Sequence, residues 1–283
     1  MDISPLCLAP PEDLPSDLRA LREAVPARPS DPDAPHHPLP DPHEQDFDAF
    51  FGIVRCNRLP AAGLLATALS RTVGIMSPLA DAEDRARLTV ALRRAGRPSP
   101  PPRAPASHGG ASAWEKWIHG HRLFFALTQA TVVALKHAIT RPEDPVATIE
   151  GSDSAIAFLH ASAAALRLTA AFSRDAYHRA VRPAMAPPVH PAEGFSGLWS
   201  ADHRVLVQEL GRWGEAITAP TVPVRITCDL LRDAVRDVYQ SHIGVCDRFV
   251  GHGPSLLGGT SDSLATLAKL AHARQRLLAP RPD

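Results

Sequence analysis

Apolar residues recur every three to four positions along most of this chain, which is the spacing of one face of an α-helix. The clearest example starts at Leu230, where an apolar stripe runs past His242 and Cys246 to Phe249. Charged residues fall mostly on the other side of the same helix. A glycine-rich stretch that begins at Gly251 ends it.

The same spacing predicts further helices, over residues 46–54, 59–75, 81–95, 113–139 and 152–185. A helix capped by Ser200 or Asp202 would then carry His203 in its first turn. No stretch of useful length alternates between apolar and polar residues with the period of a β-strand. The pattern therefore predicts an all-α fold, a helical bundle that holds any prosthetic group between its helices.

Proline content divides the chain into two unequal parts. The first 45 residues hold eleven prolines among Asp, Glu and His, which disfavours both helix and strand. We therefore expect a flexible arm over residues 1–45 and a single helical domain over residues 46–283. A Pro/Ser/Gly loop is expected at residues 96–110.

Composition and charge exclude several classes of function. The 30 basic and 30 acidic residues balance and form no basic stripe, which argues against a nucleic-acid partner. The chain lacks a signal-peptide start and an apolar run of about 18 residues, so we expect a soluble, cytoplasmic protein without a membrane partner. Its four cysteines form neither CxxC nor CxxCH, which argues against a zinc site and ordinary c-type heme attachment.

His242 and Cys246 are the first candidates for chemistry. They lie one turn apart on the apolar face of one helix, ahead of a glycine-rich loop. The imidazole could ligate the metal of a flat prosthetic group while the thiol lies over the edge of its macrocycle. The alternative is a core histidine whose ring is satisfied by a backbone carbonyl.

Two segments resemble the superfamily of heme-dependent aromatic oxygenases, which includes the tryptophan and indoleamine dioxygenases. The first is similar to their proximal-histidine segment, with its glycine-rich loop, and comprises His242, Val245, Cys246, Arg248, Gly251 and the run Gly258, Gly259, Thr260, Ser261. The second, over residues 121–135, is similar to the dioxygenase distal segment. There Thr128 stands where the dioxygenases have a histidine, which argues against plain tryptophan dioxygenation.

The branch that is most similar contains heme-dependent tyrosine hydroxylases, with the saframycin-pathway 3-methyl-L-tyrosine hydroxylases that carry an HxxxC motif. The resemblance implies that His242 ligates heme iron and that Cys246 forms a thioether with the macrocycle. It also implies an upstream histidine as the opposite axial ligand and acid–base group. His203, 39 residues earlier, is the first candidate, and His121 and His137 are its competitors.

The remaining site residues also follow from the resemblance. Arg248 is expected to pair with a heme propionate, and Gly258, Gly259 and Thr260 to contact the heme or the substrate. The predicted walls of the substrate pocket are Thr128, Trp199 and Phe124.

The implied function is hydroxylation ortho to the phenol of L-tyrosine or 3-methyl-L-tyrosine, with hydrogen peroxide or O2 as oxidant, in antibiotic or other specialised-metabolite biosynthesis. Two alternatives stay open: an indole dioxygenase or rearranging heme enzyme of the pyrrolnitrin type, and a non-enzymatic helical binding protein. Superfamily relatives are often oligomers, so a homo-oligomer is also left open.

Overall fold

Helices make up most of the protein. The computed structural model describes residues 3–27, 38–99, 111–140, 143–186, 196–217, 221–251 and 263–278. The helices are α1 (Leu18–Arg22), α2 (Pro42–Phe51), α3 (Ala61–Met76), α4 (Ala82–Arg94), α5 (Ala113–Thr140), α6 (Pro145–Thr169), α7 (Arg174–Ala176), α8 (Ala201–Ala216), α9 (Val222–Phe249) and α10 (Ser263–Leu277). The all-α class predicted from the sequence is confirmed.

The centre of the bundle is α5, which packs against α6, α8 and α3. On its far side α6 packs against α9, and α10 then covers α9. A Cβ atom at Gly151 of α6 would lie 2.7 Å from the Ala134 carbonyl oxygen, so α6 approaches α5 at a distance that only glycine allows. The length and composition of α5 would suffice to cross a membrane, but 72% of its apolar window is buried, as in a core helix.

Several helix ends agree with the capping residues predicted from the sequence. The Asp81 carboxylate accepts the Asp84 amide at 2.8 Å, which starts α4. The Ser200 hydroxyl accepts the His203 amide at 3.3 Å, so His203 lies in the first turn of α8. Gly251 takes a left-handed φ of 57° at the end of α9, and its amide donates to the Cys246 carbonyl.

The N-terminal segment differs from the flexible arm that its prolines predicted. Strand β1 (Leu6–Leu8) pairs in parallel with β2 (Ile53–Arg55), in the register Leu6 to Ile53. Leu6 and Leu8 alternate onto the core side, and α1 is buried through Leu18 and Leu21. Within the described residues 3–27 and 38–45 the arm prediction is therefore wrong. Proline restricts a helix more than an extended segment, and these leucines are spaced for a strand.

The helix expected over residues 152–185 is also wrong. It is divided between α6, which begins earlier at Pro145, and a separate segment that bends from it by 81°. That segment consists of α7, a π-helical stretch (Tyr177–Val181) and a 3₁₀ turn (Arg182–Met185). Asp144 caps the first part and Ser173 the second, so two local start signals overrode one continuous apolar pattern. Helix α2 likewise ends at Phe51, because Gly52 turns the chain into β2.

Candidate functional site

Three histidines from three helices lie close together: His121 of α5, His203 of α8 and His242 of α9. A positive charge on His242 would lower the pKa of both His121 and His203, so all three rings share one region. Burial lowers the pKa of each of them to about 4. Each residue nevertheless keeps part of its surface accessible.

His121 is held in one tautomer. Its Nδ1 lies 2.8 Å from the Trp117 carbonyl oxygen, which only accepts, so Nδ1 must carry the hydrogen and donate. The lone pair therefore lies on Nε2. The ring stacks on Phe51 with centroids 4.6 Å apart and lies 4.4 Å from Trp117. This packing fixes the position of the imidazole as well as its tautomer.

His203 is tied to α9 and α10 through a tyrosine. Its Nε2 lies 3.4 Å from the Tyr239 hydroxyl, a long hydrogen bond. Burial is the main cause that lowers the pKa of His203, and the nearby Arg274 guanidinium lowers it further. Arg274 also hydrogen-bonds Tyr239, where burial raises the tyrosine pKa. His203, Tyr239 and Arg274 thus form one chain of polar groups across three helices.

His242 and Cys246 lie one turn apart on α9, as their spacing predicts. Burial raises the pKa of the Cys246 thiol to about 11, so the thiol is neutral at physiological pH. Tyr177 lies beside Cys246, since a charge on the thiol would raise the pKa of that tyrosine. The Tyr177 ring stacks on Phe249 with centroids 4.5 Å apart, so an aromatic wall adjoins the thiol.

A charged network begins at the residue next to His203. Asp202 accepts two hydrogen bonds from Arg55 at 2.9 and 3.0 Å, and Arg55 donates two more to Asp48 at 2.7 and 2.8 Å. The fifth guanidinium N–H donates to the Ala9 carbonyl, and Gln129 also donates to Asp202. The network joins β1, β2, α2 and α5 to the start of α8, and thereby fixes the backbone that carries His203.

The structure shows the contacts of several other predicted site residues but does not test their roles. Thr128 is buried and donates to the Phe124 carbonyl at 2.8 Å, one turn back on α5. Trp199 stacks on His43, with centroids 4.5 Å apart. Arg248 is exposed and donates to the Phe172 carbonyl at 2.8 Å. The roles expected for these residues stay predictions, and the expected contacts of Gly258, Gly259 and Thr260 lie outside the described residues.

Tyr239, Arg274 and Trp117 were missed as site residues. The indole Nε1 of Trp117 and Nε of Arg274 are buried donors without a partner among the described residues. Spacing could have found Tyr239, because it precedes His242 by three residues and shares its face of α9. No local signal could have found Arg274, since the packing of α10 on α9 brings it to His203.

The donor set suits a metal held in a macrocycle better than a bare ion. In the part of the chain that the structure describes, no group of three or more His, Cys, Asp or Glu side chains is arranged to hold a metal ion. A heme iron needs only one or two protein ligands, and neutral imidazole is a common one. The three neutral imidazoles, the neutral thiol and the aromatic walls therefore fit a heme.

Comparison with known proteins gives three related matches. The family model described as SfmD 3-methyl-L-tyrosine peroxygenase matches residues 7–227. A 3-methyl-L-tyrosine peroxygenase of Streptomyces lavendulae is 30% identical over 272 residues, covering 86% of this chain and 73% of the relative. The crystal structure of SfmD reduced by soaking with sodium hydrosulfite matches with a TM-score of 0.62 at 26% identity, over 88% of this chain and 99% of that chain. The family match includes His121 and His203 and ends before His242.

Proposed function

Because the chain belongs to the SfmD 3-methyl-L-tyrosine peroxygenase family, we propose that it is a heme-dependent hydroxylase that uses peroxide to add a hydroxyl group ortho to the phenol of L-tyrosine or 3-methyl-L-tyrosine. The family is one of oxidoreductases, which sets aside the non-enzymatic binding protein. The wider likeness to the tryptophan dioxygenase superfamily stays a prediction.

The convergence of His121, His203 and His242 is the observation that carries this proposal. Buried imidazoles without a carboxylate partner destabilise a fold when they are charged, and each of these three is held neutral. Neutral imidazoles are the form that binds iron and accepts protons. Three buried imidazoles are unfavourable for the packing of the fold but are well suited to bind a metal. Such a cluster therefore supports a catalytic centre.

In this proposal His242 holds the heme iron and Cys246 attaches the macrocycle. Addition of the Cys246 S–H across a vinyl group would form a thioether with no atom lost. The chemistry that heme supplies when bound is cleavage of the peroxide O–O bond and transfer of one oxygen to the ring, with water as the other product. Trp117 Nε1 and Arg274 Nε have no partner among the described residues and would serve as buried donors for polar groups of heme or substrate.

His203 is the proposed proton carrier. Its neutral ring can accept a proton from peroxide and return it as water forms, and the Tyr239 hydroxyl holds Nε2 in place. Nε2 of His203 cannot hydrogen-bond the Tyr239 hydroxyl and bind iron at the same time. If His203 also binds iron at rest, its ring would have to exchange between the iron and the Tyr239 hydroxyl. His121, with its lone pair on Nε2, is the second candidate for proton transfer.

Aromatic side chains would orient the substrate ring. Phe51, Trp117 and Phe125 surround His121, and Phe124 and Thr128 follow on the same face of α5. Offset and edge-to-face contacts with these side chains favour a planar substrate ring. They do not distinguish one phenol from another, so polar groups must do that. The Thr128 hydroxyl donates within its own helix, so it does not replace the distal histidine of a dioxygenase as a proton donor.

The central test is the absorption spectrum of protein expressed with heme supply, followed by turnover. We expect a Soret band, a positive pyridine hemochrome test and hydroxylation of L-tyrosine or 3-methyl-L-tyrosine with hydrogen peroxide. The same assay with tryptophan, and with O2 plus a reductant, separates the alternatives. Purified protein without a Soret band would contradict the proposal, and turnover of tryptophan alone would favour the indole alternative.

The thioether is tested by mass spectrometry of the denatured protein. We expect one species at the mass of polypeptide plus heme, and release of heme in Cys246→Ala. Cys228→Ala is the matched control, because Cys228 is a buried cysteine near the other end of α9. Heme extracted from the wild type by acid–acetone would contradict the thioether and leave His242 as a non-covalent ligand.

A further inference from the structure

Cys7 and Cys56 form a pair of thiols remote in sequence and adjacent in space. Cys7 is in β1, directly opposite Val54 of β2, and Cys56 follows β2 by one residue. The Cys56 amide donates at 2.9 Å to the carbonyl of Leu8, the residue after Cys7. Alternate residues of a strand share a face, which brings the two sulfur atoms to the same side of the sheet. Their thiols are in hydrogen-bond contact.

The two cysteines differ in accessibility. Cys7 is half-buried, whereas Cys56 is buried and its sulfur lies 3.9 Å from the Val54 carbonyl oxygen. Burial raises the pKa of Cys56 to about 11, and the neighbouring Cys7 adds to that effect. Cys56 is therefore a poor nucleophile toward an oxidant. Cys7 is the thiol that a small oxidant reaches first, and Cys56 stands next to it as a resolving thiol.

We propose that Cys7 and Cys56 are an oxidation site at which hydrogen peroxide forms a disulfide between β1 and β2. The Cys7 thiolate attacks one peroxide oxygen and hydroxide leaves, which gives a sulfenic acid. The Cys56 sulfur then displaces water from that sulfenic acid. Overall, two thiols and one peroxide give one disulfide and two waters. The oxidant is the one that the proposed function consumes, but the site stands on the thiol geometry alone.

A disulfide here would link the N-terminal strand to the residue after Arg55. Cys56 follows Arg55, whose guanidinium holds Asp202 at the start of α8. The link would close the long loop of chain between residues 7 and 56. Restraining a long loop in the unfolded chain stabilises the folded one. Oxidation would thus stabilise the Arg55 network next to His203 in a protein that is exposed to peroxide.

The experiment treats the full-length purified protein with hydrogen peroxide, blocks free thiols with iodoacetamide and maps peptides without reduction. We expect a linked pair of peptides, lighter by two hydrogen atoms than their sum, which dithiothreitol separates. The oxidised protein should melt roughly 5 °C higher than the reduced protein. Cys7→Ser should give neither the linked pair nor the shift in melting temperature, and its half-buried position tolerates the change.

Two further variants keep the result interpretable. Cys56→Ala should behave as Cys7→Ser does, and Cys228→Ser should form the linked pair as the wild type does, because Cys228 lies in α9 away from the pair. Recovery of both Cys7 and Cys56 as blocked thiols after peroxide treatment would overturn the proposal. So would Cys7 carrying two or three added oxygen atoms without a linked peptide.

Discussion

Asp202 and His203 are consecutive residues that belong to opposite kinds of buried polar cluster. Asp202 belongs to a network in which Arg55 uses all five of its N–H groups. Burial disfavours the Arg55 charge, but the carboxylates of Asp202 and Asp48 outweigh it and raise the arginine pKa. Among the described residues, the His203 ring has the Tyr239 hydroxyl as its one hydrogen-bond partner, and burial lowers the pKa of His203 to about 4.

The difference shows that two adjacent residues of one helix can serve structure and chemistry separately. A buried charge persists where opposite charges and donors match it, and such a network is worth most as a fixed frame. A buried imidazole without an acidic partner becomes neutral instead and keeps a free lone pair. The frame at Asp202 therefore holds α8 still while His203 stays available to a ligand or a proton.

The largest expected effect is loss of heme from the histidine cluster. His242→Ala should retain little or no heme, a weakening on the order of 100-fold or more, since even partners of a metal ligand can contribute that much. The pyridine hemochrome assay measures it. His160→Ala is the control, because that half-exposed ring pairs with Asp237 and not with the cluster. Equal heme content in His242→Ala and the control would mean that another residue holds the iron.

Breaking the charged network around Arg55 should lower the stability of the fold. Arg55→Met leaves Asp48 and Asp202 buried without their cation, which should cost about 3–5 kcal/mol of unfolding free energy. Denaturant titration measures it, and Arg236→Met, which breaks a half-exposed pair with Asp233, should cost less than about 1 kcal/mol. A small effect for Arg55→Met would show that the network is not the frame described above.

His203→Ala should spare stability and reduce turnover. Removing the proton carrier should lower peroxide-driven hydroxylation by about 100-fold. If His203 also binds iron at rest, the ferric spectrum should change from low-spin to high-spin and cyanide should bind faster. His121→Ala is the comparison. Unchanged turnover and spin state in His203→Ala would move the role to His121.

The pH dependence of folding is a further consequence of burying the three imidazoles. In the unfolded chain the three histidines titrate near their ordinary pKa of 6.5, and in the folded chain near 4. Between these values the unfolded chain binds more protons, so stability should fall as pH is lowered from 6.5 toward 4 and stay level above 6.5. Unfolding of heme-free protein at a series of pH values measures this slope.

His203→Ala should reduce that slope by no more than one proton, which is about 1.4 kcal/mol per pH unit, and by less where the ring is accessible. If the slope does not differ between His203→Ala and the wild type, the pKa of His203 is the same in the folded and the unfolded chain.

The sequence predicted the helices that carry strong local signals. Asp81 and Ser200 start helices where capping chemistry places them, and Gly251 takes the left-handed conformation that ends α9. The one-turn separation of His242 and Cys246 followed from spacing alone, as did the first-turn position of His203. These features depend on neighbours within a few residues, and short-range geometry is the same in most proteins.

The sheet and the bend near residue 170 could not be predicted in that way. A three-residue strand such as β1 has no stability of its own and exists because β2, 47 residues later in register, supplies its hydrogen bonds. Arg55 resembles any surface arginine in the sequence. Only the packing of β2 against α8 brings it between Asp48 and Asp202 and makes it a buried cation.

By itself the sequence determined the all-α class and the helix faces, because periodicity and capping act over a few residues, and its resemblance to a known superfamily supplied the candidate histidines. Tertiary structure alone decided that His121, His203 and His242 meet, that Tyr239 and Arg274 join them, and that the leucines of the N-terminal segment pack into the core. Those outcomes depend on which helices cross and how deeply each ring is buried. Burial sets the pKa of an imidazole, and no local pattern encodes it.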